Sequence, residues 1–200
     1  MTGLEFDPYQ DFLTIIGRKA MGKTERTKFY IRNLDRFIII DPTWQLQQLG
    51  YEVHYPSRIS DAFNKWKRVV YCPLSTRKED YVEVFREILG LSNFTLCIDE
   101  IQEFAHSKGY LCDEFKQLVC RGRAQGIGLI GNSRRPSLFH NDIKGNADHI
   151  VCFQLQLMAD RKYMEEWIGV DRDELKNLKP YNAFYYNVKT GTLTQELPLY

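Results

Sequence analysis

Residues 17–24 read Gly17-Arg18-Lys19-Ala20-Met21-Gly22-Lys23-Thr24, a glycine followed after four residues by Gly-Lys-Thr. This order of residue types suits a loop that wraps closely around a polyphosphate. Glycines stand where side chains would collide with the ligand. The loop amides and the positive end of a following helix would face the phosphate oxygens. Lys23 would reach the β- and γ-phosphates of ATP, and the Thr24 hydroxyl would bind Mg²⁺. All eight residues are therefore candidates for nucleotide binding.

A second cluster of chemistry stands at Asp99 and Glu100, which end the apolar run Phe94-Thr95-Leu96-Cys97-Ile98. Open α/β sheets bind ligands at the carboxyl ends of their strands. There Asp99 would hold Mg²⁺ through a water, and Glu100 would polarise the water that attacks the γ-phosphate. Two acids after a strand also serve simply to cap the next helix, so the pair gains its meaning from the loop upstream. Together the two motifs point to hydrolysis rather than to nucleotide binding alone.

Four arginines bracket one further strand: Arg121 and Arg123 before Gly126-Ile127-Gly128-Leu129-Ile130-Gly131, and Arg134 and Arg135 after it. Beside a phosphate loop, a planar guanidinium has a use in stabilising charge on the transferring γ-phosphoryl. Arg134 is expected to act on the chain's own site. Arg123, at the amino end of the strand, is expected to act on a neighbouring subunit's ATP, with Arg121 in reserve. Solvated helix-end charge is the plainer alternative for these arginines.

The elements that must position these residues alternate. A strand at 12–17 leads through the loop into a helix from about Lys23 to Leu34. A strand at 36–41 is stopped by Pro42, and an irregular polar stretch follows. Residues 68–72 form another strand, 80–91 a helix, and 93–100 the acidic strand. A helix over about 113–123 then enters the strand at 126–133, and a further strand spans 148–155. Strands alternating with helices predict a mainly parallel sheet covered on both faces. Residues 182–197 read as a terminal hairpin that turns near Thr190-Gly191. With no repeat, linker or low-complexity stretch, the 200 residues are expected to form one domain. Its core spans about 12–157, and a helix and hairpin occupy 158–200.

Composition bounds the rest. The apolar fraction of 44% and charged fraction of 26% are those of a globular protein. No run of about 18 apolar residues is present to span a membrane, and the amino terminus lacks an apolar signal core, so a cytoplasmic location is expected. The five cysteines form no CxxC pair and read as reduced and structural. A net charge of +1 means that any nucleic-acid contact must come from local patches. Lys108 with Tyr110, Arg77-Lys78 and Lys65-Trp66-Lys67-Arg68 are the candidates, and ordinary surface loops are the plainer reading of each.

The run from Arg121 to Leu155, with its arginine, glycine-led strand, polar strand end and Arg-Pro-Ser, resembles the FtsK/HerA superfamily of ring-shaped DNA pumps. The loop at 17–24, Asp41 at the end of its strand, and Asp99-Glu100 fit the same pattern, so the resemblance covers roughly residues 12–157. It implies a RecA-like core in which the Gly126–Ser133 strand is inserted between the phosphate-loop strand and the acidic strand. It also implies double-stranded DNA as substrate and a homo-oligomeric ring, such as a hexamer. The length is similar to that of the genome-packaging ATPases of membrane-containing icosahedral viruses, including the archaeal turreted ones. For such a protein, capsid or vertex membrane proteins would be further partners, and the site of action would be the host cytoplasm or the virion. Arg134 stands where the superfamily usually has glutamine, which leaves the identity of the phosphate sensor open among Arg134, Asn132 and Ser133. Two other readings remain: a secretion or assembly ATPase that moves protein, and a nucleotide-gated interaction module.

Overall fold

The computed structural model describes residues 6–75, 77–106, 109 and 111–198. Nine strands form one sheet: β1 Phe12–Ile16, β2 Phe37–Ile40, β3 Tyr51–Val53, β4 Arg68–Tyr71, β5 Phe94–Ile98, β6 Ile127–Ser133, β7 His149–Cys152, β8 Ala183–Asn187 and β9 Thr192–Glu196. Their spatial order is β3-β4-β2-β5-β6-β1-β7-β8-β9. Every pairing from β3 to β7 is parallel, and only the terminal hairpin runs antiparallel, with β8 against β7 and β9 against β8. This is an α/β sheet of the P-loop type, with β6 between β1 and β5 as expected from the RecA-like arrangement.

The central strands are buried along their whole length and mostly apolar because both faces are covered, as parallel sheets require. Successive residues feed opposite sides. Phe12, Ile16, Ile38, Ile40, Leu96 and Ile98 join one apolar cluster, and Leu13, Ile15, Phe37, Ile39 and Cys97 join the other. The first side is closed by helices α2 Ile59–Trp66, α3 Lys78–Leu89 and α4 Asp113–Arg121, through Phe63, Phe85 and Phe115 among others. On the second side lies α1 Lys23–Ile31, which buries Ile31. Three further helices follow: α5 Asn141–Asn146, α6 Met158–Ile168 and α7 Arg172–Asn177.

Two expectations need correction. The stretch after Pro42 is not irregular, for it contains the edge strand β3 and helix α2. Ile59, Ala62 and Phe63, at helical spacing, are the buried face of α2. The helix before β6 also ends earlier, at Arg121, and Gly122–Gln125 form a separate tighter turn. No helix among the described residues is long and apolar enough to cross a membrane.

Candidate functional site

The seven parallel strands, from β3 to β7 in spatial order, send their carboxyl ends to one edge, where a cavity of about 340 Å³ opens. Its walls include Lys19, Lys23, Thr24, Asp99, Glu100 and Arg134. Residues scattered over more than a hundred positions of sequence thus meet in one hollow.

The loop between β1 and α1 supplies one wall. Gly17 donates its amide to the Ser133 carbonyl (3.0 Å) and Arg18 to that of Gln154 (3.0 Å), which ties the loop to the ends of both neighbouring strands. Gly22 begins α1 with φ of 109°, a left-handed conformation that favours glycine. A Cβ there would lie 2.7 Å from the Tyr181 ring. Ala20 is also left-handed, at φ 64°. The Lys23 ammonium donates to the carbonyls of Gly17 (2.7 Å) and Arg18 (3.1 Å), folded back over its own loop. Burial pulls its pKa down, against the attraction of Glu100 and Asp99. Among the eight loop residues, Lys19, Ala20, Gly22, Lys23 and Thr24 face the cavity. Met21 is buried in the core, Arg18 reaches toward Gln156 (3.4 Å), and Gly17 backs onto Phe153.

The opposite wall comes from β5. The Asp99 carboxylate accepts from the Thr43 hydroxyl (2.8 Å) and the Asn132 amide (3.2 Å). Asn132 in turn accepts from the Thr27 hydroxyl of α1 (2.9 Å), so one chain of side-chain bonds joins the phosphate-loop helix to the acidic strand. Burial raises the Asp99 pKa above the usual carboxylate range. The bonds from Thr43 and Asn132 oppose this rise, and the charges of Glu100 and Asp41 add to it. A buried carboxylate beside like charges and across the cavity from the Thr24 hydroxyl is a hard oxygen donor in want of a cation. The pair fits Mg²⁺, which takes few protein ligands and completes its shell with water and phosphate oxygens.

Glu100 is held on both oxygens. Arg134 Nε lies 2.7 Å from Oε1, and Gln102 Nε2 donates to Oε2 at 2.6 Å. Its backbone is left-handed, at φ 52°, a conformation that costs a non-glycine residue energy and recurs at functional sites. Arg134 therefore belongs to the chain's own cavity. Ser133 is fully buried, and its Oγ accepts from the amide of Arg135 (3.0 Å).

Arg123 lies elsewhere. Its Nη2 pairs with Asp148 (2.6 Å) and its Nε donates to the Gln10 carbonyl (3.0 Å), at the amino edge of the sheet. Arg121 is exposed at the end of α4 and forms no ion pair among the described residues. The seven residues of β6 separate both from the cavity by roughly 20 Å at about 3.3 Å per residue. Of the nucleic-acid candidates, Lys108 and Tyr110 fall outside the described residues, and Arg77 is exposed just before α3. The 65–68 cluster lies at the amino end of β4. There Trp66 stacks on Tyr51 with ring centres 5.2 Å apart, and Arg68 pairs with Asp35 (3.7 Å).

Sequence reasoning missed Thr43, Gln102 and Tyr181. The Asp41-Pro42-Thr43 run, a hydroxyl two residues beyond an acidic strand end, was a signal for the first. Tyr181 had none, because it follows α7 and reaches the loop only through the fold.

No family model and no curated protein matches the chain, but solved structures do. The genome packaging NTPase B204 from Sulfolobus turreted icosahedral virus 2, in complex with ATP-gammaS, superposes with a TM-score of 0.84 at 20% identity, over 98% of this chain and 100% of that one. This chain has the fold of that packaging NTPase. The AMP complex of B204 gives a TM-score of 0.81 at 21% identity with the same coverage. VirB4 of Thermoanaerobacter pseudethanolicus shares the fold more distantly, with a TM-score of 0.71 at 10% identity over 98% of this chain and 91% of that one.

Proposed function

We propose that the protein is an ATP-hydrolysing motor of the FtsK/HerA superfamily that moves double-stranded DNA, and that it packages a viral genome. The observation that carries the ATPase reading is the convergence of Lys23, Thr24, Asp99, Glu100 and Arg134 on one cavity at the carboxyl edge. Lys23 neutralises the β- and γ-phosphates, leaving its present carbonyl partners as the ligand enters. Thr24 and Asp99 would hold Mg²⁺, whose chemistry here is to screen charge on the phosphate oxygens. A water attacks the γ-phosphorus, the bond to the β–γ bridging oxygen breaks, and Glu100 accepts the proton of the attacking water.

In the structure Oε1 of Glu100, the oxygen that would face the water, is occupied by Arg134. A γ-phosphate carries more charge than one carboxylate and competes for the same guanidinium. Arg134 then stabilises the phosphoryl group, and Oε1 becomes available to water. This gives a role in cis to the arginine that stands in place of the superfamily's glutamine.

The DNA part of the reading rests on the resemblance and on the likeness to B204, a genome packaging NTPase. A ring would multiply the modest basic surface of each subunit. Phosphate release measured with and without duplex DNA tests this reading. Stimulation by duplex is expected, falling steeply as salt screens the backbone contacts. A rate indifferent to DNA at low salt favours the protein-moving alternative, and no phosphate release at all favours a nucleotide-gated module.

A further inference from the structure

A second hollow, of about 180 Å³, lies along α1 and shares Gly22, Glu25 and Tyr181 with the phosphate cavity. Its far end is walled by Phe29 and Arg32, and its floor is the buried Phe153. Gly22, Glu25, Arg26 and Phe29 recur at helical spacing and so share one face of α1. That face runs from the phosphate loop to an aromatic ring about 10 Å away at 1.5 Å per residue.

The rings at both ends are exposed yet fixed. Tyr181 is 39% exposed. Its amide donates to the Met21 carbonyl (3.0 Å) and its ring sits against Gly22. Phe29 is 36% exposed, and the Arg32 guanidinium lies over it, 4.8 Å from its centre. Below them Arg26 is tied by a buried ion pair to Glu196 of β9, so the terminal hairpin braces the groove.

We propose that this groove holds the nucleoside half of the bound nucleotide, with a purine base stacked on the Tyr181 ring and Phe29 closing the far side. The inference rests on the reading that the triphosphate fills the first cavity. The continuity of the two hollows through Gly22, Glu25 and Tyr181 selects this occupant, because a ligand anchored by its phosphates at Lys23 enters the second hollow with its other end. Tyr181 and Phe29 would then account for preference for a nucleotide over bare polyphosphate.

The test compares binding of ATP and of inorganic tripolyphosphate, each in magnesium buffer, by titration calorimetry. Wild type should bind ATP more tightly than tripolyphosphate. Tyr181→Ala should lower ATP affinity by on the order of ten-fold or more, the scale of one base–aromatic stack, with a much smaller loss for tripolyphosphate. Phe29→Ala should act in the same direction, and Tyr181→Phe should keep wild-type affinity for both. Equal losses for the two ligands in Tyr181→Ala would make the ring a mere support of the loop and overturn the proposal. So would unchanged ATP affinity in both alanine variants, or equal binding of the two ligands by wild type. Wild type that binds neither ligand contradicts the phosphate-cavity reading itself, a distinct result that takes the proposal down with it.

Discussion

Glu100→Gln should give a protein that binds ATP and keeps it uncleaved. The substitution preserves the size of the side chain, but it removes the carboxylate placed to take a proton from water. Losing a positioned general base typically slows a reaction by about 10²- to 10⁴-fold, and a rate in that range is expected. ATP affinity should hold or rise, because a neutral amide no longer competes with the phosphates for Arg134, which stands 2.7 Å from Oε1 of Glu100 in the structure. Single-turnover phosphate release and equilibrium binding on the same variant separate the two effects. Turnover at the wild-type rate would place the base on another residue.

The other large effect concerns the arginines before β6. Both are too far from their own Lys23 to assist there, so any catalytic contribution must cross to a neighbouring subunit. Sequence reasoning put Arg123 first. The pair with Asp148 and the bond to Gln10 tie Arg123 to its own chain, while Arg121 is exposed and without an ion-pair partner among the described residues. We therefore expect Arg121→Ala to have the larger effect, with ATP binding intact and hydrolysis reduced on the order of 10³-fold, as for other arginines that act in trans. Mixed with Lys23→Ala, which cannot engage the phosphates, it should regain part of the activity where an intact loop meets an intact arginine. Mixed rings that form but stay inactive would contradict action in trans. Recovery with Arg123→Ala instead would return the role to Arg123.

Much of this site was legible because its chemistry demands contiguous residues. A phosphate loop must be one short segment between a strand and a helix, and residues 17–24 run from the end of β1 into α1 as that expectation requires. The acids at 99–100 gained meaning from that loop. The order of the central strands followed from the resemblance, and β6 lies where it was expected. Short elements with weak patterns were lost. Strand β3 has three residues and exposes Tyr51 and Glu52 at the sheet edge, so it shows no apolar alternation. Helix α2 buries only Ile59, Ala62 and Phe63 in eight residues, one turn's worth of signal amid polar neighbours. Nothing local reveals contacts made by folding alone, such as Arg134 on Glu100 or Tyr181 against Gly22. Each joins segments whose separation in sequence has no bearing on their distance in space.

Conversion of hydrolysis into movement along DNA is the claim that matters most, and displacement of a third strand from a duplex measures it directly. A duplex with a fluorescent third strand bound near one end would be incubated with the protein, magnesium and nucleotide, and strand release followed in time. Wild type with ATP should release the strand with a lag that lengthens with the distance to be travelled. Glu100→Gln with ATP, or wild type with a non-hydrolysable analogue, should release none above background. Wild type that hydrolyses ATP on the duplex yet leaves the third strand bound would contradict the account.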